Sequence, residues 1–340
     1  MSRSPHRVAP LALALLASAA ACRTHNSAPD GTRPAESTAG VTNAPGGSGA
    51  GAASARGARG ERVTFHSADG WTLVGDLVPG VASRPSVVLL HQLSSNRGEW
   101  APLVARLHAG TAYTTLAIDG RGHGESTLGP DGAMRWTEFG NDPARWDGLR
   151  RDLAAAISFL RGQNLATQGI VLVGSSIGAT AAIRAAVDTT GVRGVVMLSP
   201  GLDYRGLDAR EPFTRYVRAG GVRVFLAAGD GDTGSAECVR ALERDARPAS
   251  EHASLTDGGR LDAGVVDPDL VRAAILPGSG AHGVALGAPA AHPALWDEIA
   301  GWLDRLALAP VRVRENDLQA PGEPDATAVG DAGPGNIRSP

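Results

Sequence analysis

The chain has 340 residues, 43% of them hydrophobic, 4% aromatic and 20% charged, with a formal net charge of -3. A hydrophobic share near the globular average excludes wholesale disorder and a collagen-like repeat. The near-neutral balance lacks the basic excess of a nucleic-acid footprint, so no nucleic-acid partner is expected. All 32 basic residues are arginine, and with 45 glycines and heavy alanine use this reads as the coding bias of a GC-rich genome. Arginine counts therefore carry little functional weight.

The N-terminus places Arg3 and Arg7 before an apolar run from Leu11 to Ala21. That run is too short to span about 30 Å of hydrocarbon as a helix. It fits the hydrophobic region of a secretory signal peptide over residues 1–21. Ala19, Ala20 and Ala21 then set small residues before Cys22, which resembles a bacterial lipobox, although Ala19 stands where that pattern usually has leucine. The resemblance implies a lipidated Cys22, hence a membrane partner through the N-terminal anchor. Arg23 in place of aspartate leans towards the outer membrane. Ordinary cleavage after an Ala-x-Ala site, giving a soluble secreted protein, is the alternative.

Cys22 and Cys238 are the only cysteines, so no disulfide framework is predicted, and Cys238 reads as a small buried hydrophobe. Residues 22–60 comprise Cys22 and a stretch of Ala, Gly, Ser, Thr and Pro without apolar periodicity, which predicts a disordered linker. As a coil it would reach about 35 Å, enough to hold a domain clear of a membrane. Residues 310–340 read as a second disordered tail, leaving one α/β domain over 61–309.

Arg62 to His66 and Trp71 to Val78 read as strands joined by a turn at Asp69-Gly70. Ser86 to Leu90 is a continuous apolar run, as in a parallel strand buried on both faces. Asn96 is placed to cap a helix to His108, with Trp100, Leu103, Val104 and Leu107 on one face. Then follow a strand over 113–118, a helix over 146–161, a strand over 169–173 and a helix over 177–187. Strands over 192–198, 222–228 and 270–276, a helix over 235–242 and a closing helix over 295–306 complete the series. A hairpin followed by repeated β-α units predicts a mostly parallel sheet covered on both faces, with ligands beyond the carboxyl ends of its strands.

Gly174-Ser175-Ser176-Ile177-Gly178 lies between the apolar strand Ile170–Val173 and a helical segment. This is the G-x-S-x-G elbow in its confirming context: a serine on a sharp strand-to-helix turn, flanked by glycines because larger residues would clash. Ser176 is the candidate nucleophile; Ser175 fails the spacing. On these residues the chain resembles the α/β-hydrolase superfamily over nearly all of 61–309. The resemblance implies that fold, a mostly parallel central sheet with an N-terminal antiparallel hairpin and helices on both faces. It also implies a nucleophile–acid–histidine order. Of the downstream histidines His252, His282 and His292, His282 lies immediately past the last strand, where a loop could carry it over the elbow. The acid should follow the penultimate strand, in Gly229-Asp230-Gly231-Asp232. Asp232 matches the family's G-x-x-D, with Asp230 and Asp203 as competitors.

The oxyanion hole needs two backbone donors. The amide after the nucleophile is that of Ile177, and the resemblance maps the second onto Leu93, in His91-Gln92-Leu93. Gln92 departs from the family's glycine and can narrow the approach. Asp119 to Ser126 resembles the family's structural Asp-x-Arg-Gly-His-Gly-x-Ser loop. No dinucleotide motif and no zinc spacing appears, so neither cofactor nor metal is implied. The expected chemistry is serine-dependent acyl transfer to water on a small acyl substrate, carboxylesterase-like or dienelactone-hydrolase-like, although the latter family uses cysteine as nucleophile. Amide or peptide cleavage by the same residues, or a binding lipoprotein on a degenerate hydrolase fold, are the alternatives. The short link 201–221 predicts a minimal lid, residues 127–145 could supply a cover through Trp136 and Phe139, and a monomer is expected.

Overall fold

The computed structural model describes residues 60–110, 112–219, 223–253 and 270–309, the backbone alone over 247–253. The expected signal peptide over 1–21, Cys22, the linker up to 59 and the tail 310–340 lie outside the described residues. Strands β1 (Glu61–His66) and β2 (Thr72–Val78) form an antiparallel hairpin, with His66 opposite Thr72. Its turn closes through the Ser67 side chain, which donates to Asp69 Oδ1 and accepts from the Trp71 N–H.

The chain then alternates. β3 (Ser86–Leu90) is buried throughout, and Asn96 caps a short 3₁₀ turn that runs into α1 (Ala101–Gly110). β4 (Thr115–Ile118) starts later than the apolar pattern predicts, since Tyr113 is buried in the preceding coil and its hydroxyl donates to Asp304. A small hairpin, β5 (Leu128–Gly129) and β6 (Gly132–Ala133), extends the sheet beside β2. α2 (Pro143–Gly162) is capped by Asp142 and carries proline in its first turn, where a missing N–H costs nothing. Next come β7 (Ile170–Ser175), α3 (Ile177–Asp188) and β8 (Val192–Leu198). A two-residue hairpin, β9 (Asp203–Tyr204) and β10 (Leu207–Asp208), leads into α4 (Arg210–Arg218). β11 (Arg223–Gly229), α5 (Thr233–Ala253), β12 (Val271–Leu276) and α6 (Leu295–Leu308) complete the described elements.

The strand order is β12-β11-β8-β7-β3-β4-β2-β5-β6, with β1 also on β2. From β4 to β12 the neighbours are parallel; antiparallel pairing is confined to the β2 end. Period-two alternation sorts the apolar side chains into two cores. Val88, Leu116, Leu172 and Leu226 face α2, α3, α4 and α5, whereas Val87, Leu89, Val171, Val173 and Phe225 face α1 and α6. Both faces are dry, which is why the central strands read as continuous hydrophobic runs.

The link between β8 and β11, expected as a minimal lid, carries a hairpin and a helix over its described residues. Arg205 and Gly206 both have positive φ, 55° and 79°, the signature of a tight two-residue hairpin turn. The hairpin docks on the start of α2: Arg205 donates to Asn141 Oδ1 at 2.9 Å and lies over the Trp146 ring at 5.5 Å. α4 buries Phe213, Tyr216 and Val217, which join the core shared with α3 and α5. The helix after β11 is also longer than its apolar stripe, running to Ala253 instead of ending at Leu242.

The loop after β4 is held by charge. Arg121, 4% exposed, reaches Asp152 with Nε and Nη2 at 3.0 and 2.8 Å, while its backbone N–H donates to the other Asp152 oxygen at 2.8 Å. Its remaining donors fork onto Asp69 at 2.7 and 2.9 Å, tying the loop to the β1–β2 turn. Removing one partner of such a buried pair strands the other charge. Asp152→Ala is expected to lower stability by about 3–5 kcal/mol, at the lower end because Asp69 still faces the guanidinium, read as a reduced midpoint in urea unfolding.

Candidate active site

β7 ends in Gly174-Ser175 and α3 begins at Ile177, so Ser176 is the whole turn between them. Its backbone sits at φ 57°, ψ −120°, a conformation that a residue with a side chain rarely adopts and that costs on the order of 1–3 kcal/mol. The Ser176 N–H donates to Leu198 O at 2.8 Å, while its side chain makes no capping bond. The glycine requirement is visible in the packing. A Cβ on Gly174 would collide with the Gly178 carbonyl, and one on Gly178 would lie 2.5 Å from the carbonyl oxygens of both Leu90 and His91. α3 therefore starts against the end of β3, and its first two amides, those of Ile177 and Gly178, have no acceptor among the described residues.

The loops after β11 and β12 are stitched together beside this turn. Asp230 Oδ2 accepts from the Gly278 N–H at 2.9 Å, and the Gly231 N–H donates to Ser279 O at 3.0 Å. His282 Nδ1 then meets Asp232 Oδ2 at 2.7 Å. Burial alone would raise the Asp232 carboxyl, but hydrogen bonds from His282, Ser235 and Ser199 outweigh it and hold the group below the usual carboxylate range. A carboxylate can only accept, so Nδ1 carries a proton, and it is Nε2 that is left to face the rim. The His282 side chain is 40% exposed, against 19% for Asp232. The competing acids have other work. Asp230 closes the turn with Gly278, and Asp203 accepts from the Gly206 N–H at 2.7 Å within the β9–β10 hairpin. His292 pairs with Glu298 at 2.8 Å on α6, and the side chain of His252, near the end of α5, lies outside the described residues.

The residue after His282 brings its loop to the elbow. Gly283 has φ 61°, its N–H donates to Ser199 Oγ at 2.9 Å, and a Cβ there would run into Ser175 Oγ and Gln92 Oε1. Ser176, His282 and the Gln92 loop thus share one rim at the carboxyl ends of β3, β7, β8, β11 and β12. Among the described residues no direct hydrogen bond joins Ser176 to His282; such bonds are often long before substrate binds. Ser199, which supports Asp232 and Gly283, is marked in the sequence only by following the end of β8, and Ser235, which supports Asp232 from the first turn of α5, is not marked at all.

On the opposite side of the elbow, His91 donates from Nδ1 to Gln92 O at 2.7 Å and accepts at Nε2 from the Gly120 N–H at 3.0 Å. Burial lowers its pKa to about 4, so the ring is neutral and organises the loop. The Gln92 N–H is taken by Glu99 Oε1 at 3.1 Å, whereas the Leu93 N–H has no acceptor among the described residues. His123 stacks on Trp136 at 5.5 Å and lies 4.8 Å from His91, so residues 127–145 reach the back of this loop. Cys238 is fully buried and its thiol is pushed up to about 12, far from a reactive thiolate. Among the described residues no group of His, Cys, Asp and Glu is arranged to hold a metal ion.

A hydrolase family described as serine aminopeptidase, S33, matches residues 82–224, a stretch that contains Ser176 but ends before Asp232 and His282. An esterase from Pyrococcus furiosus superposes with a TM-score of 0.53 at 17% identity, covering 73% of this chain and 91% of that one. A dienelactone hydrolase from Anabaena variabilis superposes with a TM-score of 0.50 at 19% identity, over 73% of this chain and 97% of that one. No curated protein matches the sequence. The sheet order, the hairpin and these likenesses establish the α/β-hydrolase fold.

The elbow also predicts its own fragility. Gly178→Ala must push two strand-end carbonyls aside and is expected to cost about 3 kcal/mol, a fall in Tm of roughly 6–12 °C. Gly162→Ala, at a helix end with open space around it, is expected to leave Tm unchanged or slightly raised in the same calorimetric scan.

Proposed function

We propose that the protein is a serine hydrolase that cleaves carboxylic esters of small acyl substrates through an acyl-enzyme. The observation that carries this reading is the 2.7 Å bond from His282 Nδ1 to Asp232, which leaves Nε2 basic on the same rim as a serine in a strained turn. In the first half-reaction Ser176 Oγ attacks the carbonyl carbon while His282 Nε2 takes its proton. Asp232 stays ionised and stabilises the imidazolium that forms. The carbonyl oxygen becomes negative between the Ile177 and Leu93 amides. His282 then protonates the leaving alkoxide, the bond to it breaks, and water repeats the sequence on the acyl-enzyme. Each oxyanion donor in such sites is worth about 10²–10³ in rate.

Small substrates suit the cover. α4 joins the helical layer with α3 and α5, and the β9–β10 hairpin is pinned to the start of α2, so neither forms a broad helical lid. Amide or peptide cleavage is the second reading, favoured by the serine aminopeptidase family that matches 82–224. The same attack serves both, and the leaving group decides. A tether belongs to the proposal as well. Cys22, outside the described residues, would carry lipid and hold the domain in the cell envelope.

Ser176→Ala is expected to reduce hydrolysis of p-nitrophenyl acetate by about 10⁶-fold and to abolish labelling by a fluorophosphonate probe. Unchanged turnover, or a wild type that never labels, would refute the nucleophile and favour a binding role. Across p-nitrophenyl esters the rate should peak at short acyl chains; a maximum at decanoate contradicts the small-substrate reading, and faster turnover of aminoacyl p-nitroanilides favours the peptidase. Labelled palmitate should enter the wild type and be absent from Cys22→Ala; equal incorporation in both would exclude the anchor.

A further inference from the structure

The loop from His91 to Glu99 is fixed at its ends by groups of the β4 loop. His91 Nε2 accepts from the Gly120 N–H, the Arg97 N–H donates to Asp119 Oδ1 at 2.7 Å, and the Arg97 guanidinium reaches Asp119 and Glu125. The middle is held far less. Ser94 has φ 64°, and the Ser95 N–H makes a 3.2 Å turn bond to Gln92 O. At its near edge Gln92 is held by His91 Nδ1 on its carbonyl at 2.7 Å, by Ser175 Oγ on its side chain at 3.4 Å, and by its own N–H, which donates to Glu99 Oε1 at 3.1 Å. That amide directly precedes the Leu93 N–H, which is left without an acceptor among the described residues.

Glu99 is an uneconomical way to hold a loop for stability alone. Its second oxygen, Oε2, is buried with no hydrogen-bond partner. Burial pushes the carboxyl up to about 7, only partly offset by hydrogen bonds from Ser95 and Gln92. A carboxyl with one oxygen dry and unpaired opposes folding, so its placement needs another reason. The neighbour it fixes supplies one.

We propose that Glu99 is a positioning residue of the oxyanion hole: by accepting the Gln92 N–H it turns the adjoining peptide so that the Leu93 N–H faces the oxygen made negative by attack of Ser176. The assignment rests on the hydrolase reading above and adds a residue that touches neither substrate nor nucleophile. An amide oxygen can replace the carboxylate oxygen as acceptor. A carboxyl shortened by one methylene cannot span the same gap.

The test measures kcat and KM for p-nitrophenyl acetate, with Tm, in E99A, E99D and E99Q. E99A and E99D should lose kcat by about 10–100-fold, the scale set by displacing one donor, with KM within about twofold of wild type. E99Q should recover to within about fivefold of wild-type kcat. If E99A does not fold, E99D and E99Q carry the comparison. Wild-type kcat in a folded E99A or E99D overturns the inference. So does a loss in which E99Q falls together with them, or in which KM rises as much as kcat drops. A wild type that neither turns over nor reacts with the fluorophosphonate probe defeats the hydrolase reading first, and this inference with it. An active, labelled wild type beside unimpaired variants defeats this inference alone.

Discussion

The turn at Ser176 is the constraint on which the rest of the site depends. A strand buried on both faces must become a helix within one residue, and the strained backbone that permits this is tolerated because its surroundings leave no alternative. The Leu90 and His91 carbonyls close one side of the helix start and the Gly178 carbonyl closes on Gly174. Strain at the turn is thus offset by packing of β3, β7 and α3, elements drawn from both hydrophobic cores. Loosening any of them would allow the serine to relax into an ordinary helical or extended conformation and withdraw from the rim.

Around this fixed point the loops are ordered by polar contacts instead of by apolar burial. Arg97 in the loop after β3 and Arg121 in the loop after β4 each gather two or more carboxylates, and His91 bridges the two loop backbones as a neutral ring. The result is a rim whose Gln92 loop is tied by polar contacts at both ends and whose His282 side is more exposed. On the proposed reading this division suits acyl transfer, in which the negative oxygen needs preorganised donors while the base must exchange protons first with the nucleophile and then with the leaving group.

The strands were legible because their burial on two faces writes itself as unbroken apolar runs. β8 has the bounds its run predicts, and the hairpin of β1 and β2 turns at the Asp-Gly pair. The elbow was legible because its glycines are a steric demand stated locally. What was illegible depends on tertiary contact. α4 has only a few apolar residues among nine and is helical because α3 and α5 shelter them. β9 and β10 are two residues each, too short for any period. Asp230 and Asp232 stand two positions apart in a glycine-rich turn, and only the position of Gly278 and His282 separates their partners. Glu99 gave no signal, since its partner is a backbone amide.

The sheet order has a consequence for how the site is assembled. Ser176, Ser199, Asp232 and His282 follow β7, β8, β11 and β12, which lie side by side in space although their chain positions span more than a hundred residues. Parallel neighbours of this kind meet only after long loops have closed, the slow part of folding for such topologies. On the proposed reading, Ser176 lacks its imidazole partner until β12 docks on β11. If the proposed chemistry holds, appearance of hydrolysis during refolding would report completion of the sheet's far edge, and not the collapse that buries its centre.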